Sequence, residues 1–213
     1  MGQSRNPFRS LFMTFRESAL LRAALAGLLA LFLPNTGVAQ QDAMNFRVIA
    51  AQNCRAPCPF EIVADGAIAM ESADAFRAIA ARFAPRPVVV RLSSSGGSLV
   101  GSLQLGQAFR ELNAAVIVGK DARCISACVY AFLGGNVRRV AGGRIGVHRF
   151  RPENEETDND FPAVLVQRAR DILTTYVTQM GADPELVSIA MGVSSREIRF
   201  FNGDELRRLR VIN

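Results

Sequence analysis

"RPVVVRLSSSGGSLVGSLQLGQAFREL", residues 86–112, is the stretch on which the fold turns. A short β-branched run follows Pro87, as expected of a buried strand. Two glycines then let the backbone turn sharply and expose amide groups. Apolar residues at helical spacing follow at once. The same strand–turn–helix alternation continues downstream. "AAVIVG" (114–119) reads as a strand, "SACVYAFLGG" (126–135) as a helix closed by Gly134 and Gly135, and "GRIGVHRF" (143–150) as a strand. The longest helix is "FPAVLVQRARDILTTYVTQMG" (161–181), followed by "DPELVSIAMG" (183–192) and "GDELRRLR" (203–210). Upstream, "FRVIAA" and "FEIVADGAIA" form a strand pair interrupted by "NCRAPC". A helix starts with Ser72 as its N-cap. Strands alternating with helices of this length predict an α/β domain of right-handed βαβ units, with a mainly parallel sheet and C-terminal helices. Ligands in such folds sit beyond the carboxyl ends of the strands, which singles out "LSSSGGS" and "GKDARCIS".

Composition is that of a globular protein, with 49% hydrophobic and 21% charged residues in 213. The first residues stand apart. Arg5, Arg9, Arg16 and Arg22 flank or enter the apolar run "AALAGLLALFL" (23–33), and small residues follow Pro34. This is the pattern of a secretory signal. The run is shorter than the roughly 20 residues that span a bilayer. Residues 1–39 are therefore expected to be a signal peptide cleaved after Ala39, with an N-terminal membrane anchor as the alternative. Residues 40–213 form a single domain, placed in the periplasm or secreted. The segment carries four of the arginines and one glutamate, so the formal net charge of +6 falls to +3 without it. No basic face interleaved with aromatics suggests nucleic acid. Arg196, Arg199, Arg207, Arg208 and Arg210 read as a solvated helix face.

The chain has 4 cysteines, Cys54, Cys58, Cys124 and Cys128. An even set in an oxidising compartment favours disulfides, with local pairing, Cys54–Cys58 and Cys124–Cys128, preferred. Neither pair has the Cys-x-x-Cys redox spacing. A zinc site built from both pairs or a cysteine nucleophile is a lesser alternative, and no metal or cofactor is expected. Ser126 lies midway between Cys124 and Cys128, at the start of a predicted helix. Such a serine is commonly a cap, but a helix N-terminus also suits a developing oxyanion. His148 is the chain's one histidine, at the end of the strand that follows. A serine nucleophile needs such a base. Lys120 is an alternative base. The acidic run Glu153, Glu155, Glu156, Asp158, Asp160 does not fit a calcium loop and reads as a solvated loop.

Together, "LSSSGGSLVGSLQLGQAFREL", "CISACVYAFLGGNVRRV" and "GGRIGVHRF" resemble the Clp protease proteolytic subunit and its exported relatives in the ClpP/crotonase superfamily. The resemblance spans about residues 88–150 and, more loosely, the helices beyond. It implies a spiral of βαβ units. It makes Ser126 the nucleophile and His148 the base, with the amides of Gly97 and Ala127 as the oxyanion hole. Ser95 stands where the family commonly has proline. The family's third member, an aspartate ahead of an aromatic-rich strand, falls on Ile198 within "SSREIRFFNGDEL". The nearest carboxylate is Glu197, which strand alternation points to the other face unless a bulge turns it. Asp204 reads as an early residue of the last helix. The expected function is hydrolysis of peptide bonds in a peptide or protein substrate, in a chain that can form homo-oligomers as the superfamily does. The alternative is an inactive peptide-binding or assembly protein of the same fold. Acyl-CoA chemistry does not suit an exported chain.

Overall fold

The structure, a computed structural model, describes residues 43–50, 58–150 and 162–213. The expected signal segment 1–39, Cys54 and the acidic run 153–160 lie outside the described residues. All described residues belong to one compact unit, 41–213.

The first strands are β1 (Asn45–Ala50) and β2 (Phe60–Asp65), the strand pair that the sequence predicts, and they run antiparallel. Helix α1 (Ser72–Ala81) follows, then β3 (Val88–Ser93), α2 (Leu99–Glu111), β4 (Ala115–Val118), β5 (Arg123–Ile125), α3 (Ala127–Leu133), β6 (Val137–Val140) and β7 (Arg144–Val147). The chain ends with α4 (Ala163–Gln179), α5 (Glu185–Met191), β8 (Arg199–Phe200) and α6 (Gly203–Arg208). Strands β2, β3, β4 and β6 run parallel in a 5-stranded sheet ordered β1-β2-β3-β4-β6. A 3-stranded sheet is ordered β5-β7-β8, with β5 and β7 parallel and β8 antiparallel. The predicted α/β class with a mainly parallel sheet and C-terminal helices is what is seen. The division into two sheets was not anticipated.

Alternation explains the strands. Phe60, Ile62 and Ala64 of β2 and Val88, Val90 and Leu92 of β3 point inward and are buried. Phe76 of α1 meets Phe109 of α2 edge to face, with ring centroids 4.8 Å apart. Ser72 is not the cap expected of it. Glu71 holds the N-cap position, and the Ser72 hydroxyl instead accepts a hydrogen bond from the Ala69 amide at 2.9 Å. The chain turns between these two residues, so the hydroxyl serves the turn before the helix. Ser98, by contrast, caps α2 through the Gly101 amide.

Strand β6 had no apolar signature, because "VRRV" puts an arginine inside. Arg138 is 3% exposed. Its guanidinium donates to the carbonyls of Leu133 (2.9 Å), Met180 (2.7 Å) and Arg210 (3.0 Å). Arg110 reaches the same place, donating to Leu133, Gly134 and Met180. Two guanidiniums thus gather at the carboxyl ends of α3 and α4, where the helix dipole is negative. Burial, with some repulsion from Arg110, pushes Arg138 down to about 10. The arginines near the C-terminus are solvated: Arg207 pairs with Asp204 and Arg208 with Glu185.

Both tyrosines of the chain lie against this buried region. The Tyr176 hydroxyl donates to the Tyr130 carbonyl at 2.9 Å. Burial pushes both phenols well above their ordinary value. In the unfolded chain they ionise near pH 10, whereas in the fold they hold their protons. Their contribution to stability is therefore intact below about pH 10 and lost as the pH rises beyond it. A spectrophotometric titration should show no tyrosinate while the protein is folded. The absorbance should rise in one step, together with loss of the far-ultraviolet dichroism.

Candidate active site

Ser126 links β5 to α3, and its backbone is unusual: φ is 58° and ψ is −126°. A residue with a Cβ is strained in this region, at a cost of order 1–3 kcal/mol. The Ser126 side chain occupies the N-cap position of α3 but makes no capping hydrogen bond. Its commonest role is therefore not its role here. The turn is held from outside. The Ser126 amide donates to the Gly146 carbonyl of β7 at 2.9 Å. The Cys124–Cys128 disulfide joins the end of β5 to the first turn of α3, with Cα atoms 5.2 Å apart. Both sulfurs are buried and covalently used, so neither cysteine serves as a thiolate nucleophile or a metal ligand. Cys58 is also disulfide-bonded. Its expected partner, Cys54, lies outside the described residues. The loop closed by Cys124 and Cys128 is short, so replacing both with alanine is expected to cost about 2 kcal/mol. The readout is the urea midpoint at an unchanged slope.

The glycine turn packs directly on this serine. Ser94, past the end of β3, pairs with Cys124, its amide donating to the Arg123 carbonyl at 2.7 Å and its carbonyl accepting from Ile125 at 3.0 Å. Gly96 and Gly97 have φ of 115° and 126°, a region that glycine alone adopts readily. The Ser94 hydroxyl bonds both the amide and the carbonyl of Gly96 at 3.1 Å. A Cβ on Gly96 would lie 3.0 Å from the Ser126 Cβ and 3.4 Å from the Ala127 nitrogen. Gly96, Ser126 and Ala127 are thus in contact. Among the described residues, neither the Gly97 nor the Ala127 amide donates a hydrogen bond. The start of α3 adds its positive dipole end here.

His148 follows β7 directly. Ile125 pairs with Gly146, so Ser126 is level with Val147 and His148 stands one step further along the same carboxyl edge. The ring is half-buried. Its Nδ1 lies 2.8 Å from the Arg149 carbonyl. A carbonyl only accepts, so this hydrogen bond requires a proton on Nδ1 and leaves the lone pair of the neutral ring on Nε2. The Arg149 amide donates to the Val193 carbonyl at 3.0 Å, which anchors the peptide carrying the ring's partner.

Glu197 is exposed in the turn before β8, with its amide on the Ser194 carbonyl. Among the described residues its carboxylate bonds nothing, and it is not brought to His148. The pairing of Val147 with Arg199 places Ile198 opposite His148. Ile198 leans over Gly146, where an added Cβ would meet its Cγ2 at 2.7 Å. Asp204 is bound to Arg207 in α6. Lys120 is exposed in the turn ahead of β5, with the strand between it and Ser126. The groups that sequence reasoning missed are backbone carbonyls, those of Arg149 and Gly146, and the buried hydroxyl of Ser94. The carbonyls leave no residue-type signal. "SSSGG" does hold the serine, but its role needs the turn geometry. Among the described residues no helix is long and apolar enough to cross a membrane, and no cluster of His, Cys, Asp or Glu could hold a metal ion.

No family model matches the chain, and no curated protein matches it by sequence. Solved structures do match. A Ser-to-Ala variant of the 1510-N membrane-bound stomatin-specific protease is 17% identical, with a TM-score of 0.56 over 72% of this chain and 75% of that one. A Lys-to-Ala variant of the same protease, in complex with a substrate peptide, is 17% identical, with a TM-score of 0.55 over 72% and 71% of the two chains. An Asn-to-Asp variant of ClpP1 from Listeria monocytogenes is 15% identical, with a TM-score of 0.51 over 69% and 85%.

Proposed function

We propose that this chain, which has the fold of the ClpP-like proteases, is an exported serine peptidase acting through Ser126 and His148. The observation that carries this reading is the strained, uncapped Ser126 packed against the Gly96–Gly97 turn, with two free amides beside it. A backbone held in that conformation needs a reason, and presenting a nucleophile at a strand–helix turn is a well-attested one. In this reading, Ser126 Oγ attacks the scissile carbonyl carbon and its proton passes to His148 Nε2. The oxyanion receives the Gly97 and Ala127 N–H groups. The imidazolium returns its proton to the leaving amine, and water repeats the cycle on the acyl-serine. The Arg149 carbonyl sets the tautomer that this needs. Being neutral, it stabilises the imidazolium less than a carboxylate would. The substrate would add as an extended strand, and a homo-oligomer fits the same reading.

A fluorophosphonate probe tests it. The mature chain should label, and Ser126→Ala should not label at all. His148→Ala should label about 10³-fold more slowly. An inactive, peptide-binding protein is the rival, favoured because, among the described residues, a carbonyl and not a carboxylate meets the His148 ring. Absence of labelling from mildly acidic to mildly alkaline pH would count strongly against the peptidase.

A further inference from the structure

A polar cleft of about 290 Å³ opens beside the glycine turn, lined by Asp65, Gly66, Ala67, Ser93, Ser94, Ser95 and Arg123. Its walls carry one carboxylate, one guanidinium and serine residues, of which Ser94 spends its buried hydroxyl on Gly96, and no large apolar side chain. Asp65 is the register partner of Ser93 on one side of the β3 tail. Arg123 lies on the other side, with its carbonyl accepting from the Ser94 amide. Both charged side chains are exposed. Among the described residues neither has an ion pair or a side-chain hydrogen bond, to each other or to anything else.

Arg123 also has an unfavourable neighbour. Its register partner on β7 is Arg144, and like charges directly opposite each other destabilise a pair of strands. Arg144 is itself held over the Phe200 ring, 3.6 Å from the centroid. The Arg123 charge is therefore best satisfied by an anion arriving from the cleft, and that of Asp65 by a cation. Strands lie about 4.8 Å apart. The two backbones flanking β3 are then about 10 Å apart, a span of roughly three residues of extended chain.

We propose that this cleft is a charge-selective subsite. It would take an extended peptide segment with an acidic group on Arg123 and a basic group on Asp65, the Ser93 hydroxyl hydrogen-bonding between them. This rests on the reading of the chain as a peptidase for the identity of the ligand, but not on turnover. Arg123 opens the short strand β5 whose other end leads to Ser126, so the cleft and the serine are joined by one strand. The subsite would thus select which bond reaches the serine.

The Ser126→Ala chain permits a binding test without cleavage. Its affinity for dye-labelled hexapeptides would be followed by fluorescence anisotropy, comparing a mixed Lys/Glu peptide with all-Lys, all-Glu and neutral ones. The mixed peptide should bind tightest. Asp65→Ala should weaken it about five- to tenfold and leave the all-Glu peptide unaffected, and Arg123→Ala should do the same while sparing the all-Lys peptide. Arg123→Glu should invert the preference at its end of the cleft. Equal binding of all four peptides, no binding of any, or equal loss for every peptide in both alanine variants would overturn the inference. Fluorophosphonate labelling of the unmutated chain separates the two claims. Charge-ranked binding without labelling keeps the subsite and removes the peptidase, and labelling without charge ranking does the reverse.

Discussion

Ile198→Asp should raise the rate of fluorophosphonate labelling by about ten- to a thousandfold. Removing the carboxylate behind a catalytic histidine costs about 10⁴ in rate in a serine protease. Among the described residues a carbonyl holds that place, so supplying a carboxylate there should recover part of that factor. The position follows from register: Gly146 pairs with Phe200 and Val147 with Arg199, so position 198 faces His148. Ile198 is 45% exposed, which makes its replacement by a polar residue cheap in folding energy. The new carboxylate would compete with the Arg149 carbonyl for the Nδ1 proton. It would keep the same tautomer and add a full negative charge next to the imidazolium formed in the reaction. Ile198→Asn controls for the change of shape and hydrogen bonding without charge, and should give little or none of the gain. A rate unchanged in Ile198→Asp, with Ser126-dependent labelling intact, would show that His148 is not the rate-limiting base. The Glu197→Gln variant completes the set. Its exposed side chain bonds nothing among the described residues, so labelling should stay within about twofold of the parent.

How much of this was legible in the sequence varies with the physical signal. Strand β3 and helix α2 were readable because the cues agreed: a β-branched run, then a glycine turn followed at once by apolar residues at helical spacing; the Ser98 cap on Gly101 came only with the structure. Strand β6 was not, because its inward residue is Arg138, satisfied by carbonyls at two helix ends that only the assembled fold brings together. Strand β5 was too short to show any period. At the site, residue types and order pointed to Ser126, His148 and the glycine turn. Whether Ser126 was a cap or something else could not be read, because composition does not report a positive φ. The same holds for the tether on His148, since a backbone carbonyl is present at every residue. The displaced carboxylate was visible, and continuing the register from Val147–Arg199 puts residue 198 level with residue 148.

Gly134→Ala should destabilise the protein by about 3 kcal/mol or more, enough to leave much of it unfolded if its total stability is at the low end of the usual range. Gly134 ends α3, all of whose residues from Ala127 to Leu133 are buried. There the helix crosses α2 so closely that a Cβ on Gly134 would run into the backbone carbonyl of Gly106. A backbone atom inside a helix cannot rotate away as a side chain can, so the two helices would have to separate. Separation would pull the Gly134 carbonyl from the Arg110 guanidinium, now 3.0 Å away, and expose the buried charge of Arg138 beside it. It would also loosen α3 at the end opposite Ser126, so the strained serine turn would lose its support. Urea denaturation gives the measure: a large fall in midpoint, with fluorophosphonate labelling lost in proportion to the folded fraction. Gly119→Ala is the matched control, because an added Cβ there meets nothing within 4 Å. It should shift stability by no more than about 0.5 kcal/mol. A Gly134→Ala protein as stable as the Gly119→Ala protein would mean that α2 and α3 do not pack at the observed distance.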